Sequence, residues 1–179
     1  MLSVFYPSAY AEDVFSIDYQ MLLAKGYRAV VFDIDNTLVP HGADSNPDID
    51  QLFQNLNDMG LQTCLLSNND QARVDRFCRN INTLYVCDAD KPGTDGIRRA
   101  QALLAVEKDK IVMVGDQVFT DILCANRYGI ASILVKFIGY YTEKNIGIRR
   151  TIEKGILKAY RHSGKYQALL GDAVRINSD

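Results

Sequence analysis

Residues 28–38 read RAVVFDIDNTL, in which a short apolar run leads directly into two aspartates separated by one residue. Valine and phenylalanine in such a run are typical of a buried β-strand. Because side chains alternate along an extended chain, Asp33 and Asp35 are expected on the same side of it. Two carboxylates at that spacing repel each other unless one keeps a proton or a cation lies between them.

A hard divalent cation with oxygen ligands, such as Mg²⁺, would remove the repulsion between Asp33 and Asp35. The alternative is that the Asp-x-Asp motif only ends a strand and begins a turn.

Four more apolar runs follow, at residues 61–66, 84–86, 111–114 and 131–135. Apolar stripes with helical spacing separate them. These stripes comprise Ile49, Leu52, Phe53 and Leu56, then Val74, Phe77, Cys78 and Ile81, and then Ile97, Ala100 and Leu104. Helix start signals precede them at Asn46-Pro47, Asn69-Asp70 and Thr94. Strands that alternate with helices predict an α/β fold of three layers around a central parallel sheet.

Length and composition limit the class of protein. The 179 residues suffice for one buried core and are short for two, so we expect a single domain over 1–179. Its core covers about residues 28–136, after a helical lead-in at 1–27 and before a basic tail at 137–179. The apolar runs are too short for a membrane span, and no early basic residue suggests a signal peptide. Four cysteines without close pairing argue against zinc and favour reduced thiols in a cytoplasmic protein.

Polar residues follow the later apolar runs as well. The Ser67 hydroxyl can donate to a phosphate oxygen, although its segment can equally cap the next helix. Lys91 precedes Pro92, whose fixed φ makes the chain rigid there, although a lone lysine is usually solvated. Residues 115–121 read GDQVFTD and add Asp116 and Asp121, with a glycine that allows close backbone approach. Ligands bind at the carboxyl ends of parallel strands, so these side chains are expected to converge at one edge.

The order Asp-x-Asp-x-Thr, Ser, Lys-Pro and Gly-Asp-x-x-x-x-Asp resembles the four motifs of the haloacid dehalogenase-like (HAD) phosphatase superfamily. The resemblance covers about residues 28–136. The stretches DIDNTLV, LLSNN, KPG and GDQVFTDILCANR resemble its capless class III branch, the YqeG family, which includes mitochondrial phosphatidylglycerophosphate phosphatases. The resemblance implies a Rossmann-like fold without a large cap domain and a Mg²⁺-dependent phosphoric monoester hydrolase.

The resemblance also implies a role for each candidate residue. Asp33 is the nucleophile that forms an aspartyl-phosphate, and Asp35 is the acid/base that protonates the leaving alkoxide and then activates water. The implied phosphate-binding residues are Thr37, Ser67, Asn68 and Lys91. The implied Mg²⁺ site comprises Asp33, Asp35 through its backbone carbonyl, Asp116 and Asp121. Within it, Asp121 would hold either Lys91 or a metal-bound water in place.

The spacing of the motifs bears on the substrate. Thr37 and Ser67 are 30 positions apart, and Ser67 and Lys91 are 24 apart, which leaves no room for an inserted cap domain. A site left open suits a phosphate carried on a large group. We expect a lipid phosphate similar to phosphatidylglycerophosphate, with a phosphoprotein or a nucleic-acid end as alternatives.

The tail is basic, whereas the rest of the chain is acidic. Residues 136–179 carry 9 lysines and arginines against 4 acids, and residues 1–135 carry 11 against 18. An apolar stripe of Ile148, Ile152, Ile156 and Tyr160 predicts an amphipathic helix. We favour its packing on the domain. The alternative is contact with an anionic membrane surface, where each cation contributes about 1 kcal/mol. Nucleic acid is the weaker option, because no recognised binding motif accompanies the charge.

Two non-enzymatic classes compete with a phosphatase. A phospho-aspartate signalling module also uses clustered acids, but it places an acidic pair after the first strand and its phospho-acceptor after the third. A non-catalytic scaffold would not need polar residues at every motif. The sequence therefore favours an enzyme, and it leaves the oligomeric state open.

Overall fold

The computed structural model of the chain describes residues 2–139 and 148–175, apart from the side chains of 148–150. Six strands form one sheet in the order β1-β6-β5-β2-β3-β4, and every neighbouring pair is parallel. The strands are β1 (Ala9–Ala11), β2 (Ala29–Phe32), β3 (Gln62–Leu66), β4 (Leu84–Val86), β5 (Ile111–Gly115) and β6 (Ala131–Val135). The predicted parallel sheet is confirmed.

Helices cover both faces of the sheet. They are α1 (Tyr19–Ala24), α2 (Pro47–Asp58), α3 (Gln71–Phe77), α4 (Asp95–Leu104), α5 (Leu123–Tyr128) and α6 (Ile148–Arg161). Helices α1, α2 and α3 pack against the face that carries Val30 and Phe32, and α4 and α5 pack against the face that carries Ala29 and Val31. Alternate residues of β2 therefore enter two different cores, which explains why the strand is apolar at every position.

The starts of α2 and α3 follow from local chemistry, whereas the predicted start signal Thr94 makes no side-chain capping bond to α4. Asn46 caps α2 by accepting hydrogen bonds from the N–H groups of Asp48 and Ile49, with Pro47 in the first turn. At the predicted Asn69-Asp70 signal, Asp70 is the cap and accepts from the N–H of Arg73. Asn69 is thereby available for other contacts.

The prediction of a helical lead-in at residues 1–27 was wrong in part. Residues 9–11 form β1, which pairs with β6 at the edge of the sheet. The side chain of Gln167 donates to Tyr10 O and accepts from Tyr10 N, both at 2.8 Å. A three-residue strand of Ala-Tyr-Ala gives no periodic signal, and its outer backbone groups are satisfied by a residue 157 positions away. Covering an edge strand in this way prevents unwanted strand pairing.

The basic tail packs on the domain through α6, as favoured. Ile156 and Tyr160 are buried, and Ile156 joins a cluster with Val118, Ile122 and Leu134. The basic residues Lys154, Lys158 and Arg161 are exposed. The side chains of Ile148, Arg149 and Arg150 lie outside the described residues. Among the helices that the structure describes, none is long and apolar enough to cross a membrane.

The strand order creates a crevice at the centre of the sheet. The chain runs from β2 to β3 and β4 on one side, and then returns to β5 and β6 on the other side. The carboxyl ends of β2 and β5 thus lie side by side where the strand order reverses, which is where ligands bind in open α/β sheets. All four cysteines are free thiols, and Cys64 and Cys124 are buried.

We predict opposite effects of the same substitution at two glycines. A Cβ at Gly115, the last residue of β5, would lie 2.4 Å from Cγ of Asp121, whereas a Cβ at Gly155 in α6 would meet nothing within 4 Å. Gly115→Ala should therefore lower the free energy of unfolding by about 1–3 kcal/mol through overpacking. Gly155→Ala should raise it by about 0.5–1 kcal/mol through helix propensity.

Urea unfolding of both glycine variants measures these changes. Equal effects of the two substitutions would contradict the close approach of Gly115 to Asp121.

Candidate active site

Asp33 lies directly after β2, and its backbone N–H still bonds to Val114 O of the neighbouring strand at 2.9 Å. Its buried carboxylate has two partners. Oδ1 accepts a hydrogen bond from Lys91 Nζ at 2.6 Å, and Oδ2 lies 3.2 Å from the Thr37 hydroxyl. These contacts hold one carboxylate in a single orientation at the floor of the crevice.

Lys91 reaches this carboxylate from the segment after β4. Its side chain is 2% exposed, and its ammonium also bonds to Asp121 Oδ1 at 2.8 Å. The side chain of Asn68 holds the Lys91 backbone, accepting from its N–H at 2.8 Å and donating to its carbonyl at 3.1 Å. Lys91 is therefore not a solvated surface residue, and the side-chain amide of Asn68 serves to position it.

The fourth motif brings in two more carboxylates. Asp116 follows β5, and Asp121 lies in a π-helical turn at Val118–Ile122. The Thr37 hydroxyl lies 3.3 Å from Asp116 Oδ1 and can donate to Asp116 or to Asp33. One carboxylate oxygen from each of Asp33, Asp116 and Asp121 lies within 4.8 Å of the other two. All three residues are buried.

The charges in this cluster do not balance. Three buried carboxylates face the ammonium of Lys91, which leaves two negative charges in excess when all are ionised. Burial raises the pKa of Asp33 to about 6 against the opposing effect of Lys91. Burial alone would lower the pKa of Lys91, but Asp121 and Asp33 raise it overall, so the ammonium stays charged. Excess buried charge and oxygen-only donors fit a hard divalent cation.

Asp35 has a different set of partners. Its Oδ1 accepts from Gly42 N at 2.8 Å and from Arg73 Nη2 at 2.9 Å, and its Oδ2 accepts from Asn69 Nδ2. Burial alone would raise the pKa of Asp35, but the hydrogen bonds from Gly42, Arg73 and Asn69 lower it. Among the described residues its carboxylate is not part of the three-carboxylate cluster. The sequence analysis applied strand alternation to Asp33 and Asp35, but β2 ends at Phe32, so that alternation does not determine where the two side chains lie.

Two residues at this site were missed by sequence reasoning. Arg73 in α3 donates to Ala43 O at 2.7 Å as well as to Asp35, and its side chain is 11% exposed. Its guanidinium lies over the ring of Phe77, at 5.6 Å from the ring centroid. An arginine in the first turn of a helix is usually solvent-exposed, so the contacts of Arg73 with Asp35 and Ala43 are visible only in the folded structure. Asn69 links the two motifs by donating to Ser67 Oγ as well as to Asp35.

In the described part of the chain, no inserted domain covers the site. Between Thr37 and Ser67 the regular elements are α2 and β3, and between Ser67 and Lys91 they are α3, one 3-10 turn and β4. A cleft of about 470 Å³ opens beside Lys91, lined by Asn68, Lys91, Pro92, Phe119, Thr120 and Ile152. The prediction that the site lacks a large cap is confirmed.

Comparisons with known proteins agree with this geometry. Residues 89–146 match a family model described as HAD-hydrolase-like. The chain is 29% identical to a probable phosphatase, YqeG, of Bacillus subtilis over 91% of this chain and 95% of that protein. It is also 29% identical to the chloroplastic phosphatidylglycerophosphate phosphatase 1 of Chlamydomonas reinhardtii over 73% of this chain. This second match spans about half of that relative, 52% of its length.

A solved structure has the same fold. An uncharacterised protein from Listeria monocytogenes aligns with a TM-score of 0.52 at 16% identity, over 74% of this chain and 98% of that one. The motif residues, the strand order, the family model and the phosphatase relatives agree. In these features the chain is similar to phosphatases of the haloacid dehalogenase-like superfamily.

Proposed function

We propose that this phosphatase forms a covalent aspartyl-phosphate on Asp33, requires Mg²⁺, and acts on a phosphate carried by a lipid. The observation that carries the proposal is the buried Asp33 carboxylate, which Lys91 and Thr37 hold within the three-carboxylate cluster. A fixed carboxylate beside a cation is suited to attack on phosphorus.

The reaction has two steps. An Asp33 oxygen forms a bond to phosphorus while the bond from phosphorus to the leaving oxygen breaks, and Asp35 gives that oxygen its proton. Asp35 then takes a proton from water, which attacks the acyl phosphate, releases phosphate and regenerates Asp33. Splitting one displacement into two gives each step a positioned group.

The different partners of the two aspartates support these different roles. Asp33 lies beside Lys91, which favours an ionised nucleophile. Asp35 faces Gly42, Arg73 and Asn69, outside the carboxylate cluster. An incoming phosphate dianion would oppose the charge on Asp35 and raise its pKa, so that substrate binding favours the protonated acid needed for the first step.

Phosphate binding is assigned to groups around the cluster. Ser67 Oγ accepts hydrogen bonds from the backbone N–H and the side chain of Asn69. The hydroxyl proton of Ser67 must then point away from Asn69, and it can be donated to a phosphate oxygen. Lys91 supplies positive charge, and Thr37 supplies a hydroxyl. Asn68 uses its side chain to hold Lys91, so any bond from Asn68 to phosphate would come from its backbone N–H. Charge on the non-bridging oxygens is what must be stabilised in phosphoryl transfer.

The Mg²⁺ ligands would be the carboxylates of Asp33 and Asp116 with the backbone carbonyl of Asp35, and Asp121 would support Lys91. The bound ion would neutralise the excess negative charge of the cluster and stabilise charge on the phosphoryl oxygens. The 2.8 Å contact between Asp121 and Lys91 supports the assignment of Asp121 to Lys91 and not to the ion.

A lipid phosphate is the proposed substrate, and phosphatidylglycerophosphate is the first to test. The C. reinhardtii relative carries that substrate in its name. The absence of a cap across the intervals between Thr37 and Lys91 leaves room for a large leaving group. The exposed cations Lys154 and Lys158 on α6 are suited to an anionic membrane surface.

We predict that Asp33→Asn abolishes hydrolysis of an aryl phosphate, because the amide is a poor nucleophile. Asp35→Asn should lower kcat by about 10²–10⁴, the usual contribution of a positioned acid/base. The measurements are steady-state kinetics and the intact mass of acid-quenched enzyme. The mass should show a phosphoryl adduct in Asp35→Asn and none in Asp33→Asn. Full activity in Asp33→Asn would refute the mechanism.

The metal site predicts stabilisation by Mg²⁺ in the absence of substrate. A ligand that binds only the folded state stabilises it by about 2.7 kcal/mol at 100 times its Kd. We expect the Tm of the unmodified protein to rise with Mg²⁺ concentration, and Asp116→Asn to lose most of that rise. The exposed Asp58→Asn is the control and should keep it. A Tm that ignores Mg²⁺, or activity that survives chelation, would contradict the site.

Arg73 is predicted to be a positioning residue for Asp35. Arg73→Met removes the bond to Asp35 Oδ1 and the bond to Ala43 O. We expect kcat to fall by up to about 10²-fold, the effect of misplacing a reacting group by roughly 1 Å, with little change in KM. In Arg73→Met, phosphorylation of Asp33 by an activated aryl phosphate should be less affected than turnover of an alkyl phosphate. The alkoxide is the poorer leaving group and depends more on protonation by Asp35.

The matched control for Arg73→Met is Arg98→Met, which removes an exposed arginine paired with Asp95 in α4. The two variants should differ in kcat and not in Mg²⁺-dependent Tm. Equal turnover in both would show that Arg73 has no part in placing the acid.

A further inference from the structure

The cleft beside Lys91 is lined by both polar and apolar side chains. Its polar lining is Asn68, Lys91 and Thr120, and its apolar lining is Pro92, Phe119 and Ile152. Its volume of about 470 Å³ is in the range of small-molecule binding sites, roughly 300–1,000 Å³. Lys91 and Asn68, which belong to the proposed phosphate site, therefore line the same cleft as an apolar wall of Pro92, Phe119 and Ile152.

Phe119 and Ile152 come from segments outside the central strands and helices. Phe119 lies in the same π-helical turn as Asp121, and its ring packs edge-on against Phe5 with centroids 5.3 Å apart. Ile152 lies in α6 and is 49% exposed, although the two other described members of its stripe, Ile156 and Tyr160, are buried. Ile152 therefore offers apolar surface to a ligand that occupies the cleft beside Lys91.

A buried carboxylate fixes α6 against the π-helical turn at Val118–Ile122. Glu153 accepts from Val118 N at 3.0 Å and from Phe119 N at 3.5 Å. These hydrogen bonds satisfy two N–H groups at the start of the turn, which would otherwise have no partner within the turn itself. Ile152 precedes Glu153 in the chain, so its position relative to Phe119 is set by this contact. The apolar wall is built into the fold.

We propose that Phe119 and Ile152 form a leaving-group subsite that selects phosphomonoesters whose alcohol carries an alkyl or acyl chain over compact polar ones. The inference rests on the proposed hydrolysis, because the occupant is the group attached to the transferred phosphate. The shared lining identifies that occupant: a phosphate bound at Lys91 would place its ester substituent in the cleft that Phe119 and Ile152 also line.

The proposed test uses a series of n-alkyl phosphates from methyl to octyl with Mg²⁺ and the full chain. Each methylene that leaves water for the wall can raise kcat/KM by up to about fourfold, the equivalent of 0.8 kcal/mol. We expect the octyl-to-methyl ratio of kcat/KM to exceed about tenfold in the unmodified protein, mainly through KM. Taking the ratio within one variant removes any effect of the substitution on folding or on the phosphate itself.

Ile152→Ser should lower the octyl-to-methyl ratio about fivefold or more, because a polar stub replaces the apolar surface. Ile152→Met, which keeps an apolar side chain of similar size, should restore it. The control is Leu103→Ser, which makes a like change at a residue of α4 that is 51% exposed and outside the cleft lining. It should keep the ratio of the unmodified protein.

The outcomes separate this subsite from the proposed function. A flat response to chain length with normal hydrolysis, or an equal ratio in Ile152→Ser and Leu103→Ser, would overturn the subsite alone. Such a result would mean that Ile152 is an ordinary exposed apolar residue. Failure to hydrolyse any phosphate ester would overturn the proposed function and the subsite together.

Discussion

The site depends on one contact, the Lys91 ammonium between the carboxylates of Asp33 and Asp121. It joins the segments that follow three different strands, β2, β4 and β5, and its side chain is almost fully buried. A buried ion is costly unless it is paired and hydrogen-bonded, and removing one partner leaves the others uncompensated. Lys91 thus opposes the effect of burial, which raises the pKa of Asp33, and its single positive charge leaves the three carboxylates with an excess of negative charge suited to a cation.

Topology alone does not bring Lys91 to Asp33. Strand β4 is at the edge of the sheet, with β3 between it and β2, so the segment after β4 must return across the end of β3. Asn68, two residues beyond β3, bonds to both backbone polar groups of Lys91 and holds that return. The adjacent Asn69 holds Asp35 and Ser67 in the same way. Two neighbouring amides therefore place residues from three motifs.

The sequence was sufficient for what depends on periodicity and order. Runs such as residues 29–32 and stripes such as Ile49, Leu52, Phe53 and Leu56 predicted the strands and helices, because burial on one or two faces leaves a local pattern. It was insufficient where contacts are distant in the chain. The pairing of β1 depends on β6 and Gln167, and the partnership of Arg73 with Asp35 crosses 38 positions. A helical arginine and a short edge strand have no local signature that separates them from solvated residues.

The segments outside the central strands and helices meet on one side of the molecule. Phe5 packs on Phe119, Tyr6 packs on Tyr160, and Gln167 covers Tyr10. The tail that covers the sheet edge also contains Glu153, which binds the π-helical turn at Val118–Ile122, and Ile152, which lines the cleft. In a phosphatase without an inserted cap, a substituent of the phosphate can be recognised only by surfaces of the core and its terminal segments. Because one tail carries both Gln167 at the sheet edge and Ile152 at the cleft, changes that loosen the packing of that tail on the domain would alter the proposed selectivity before they disturb the carboxylates.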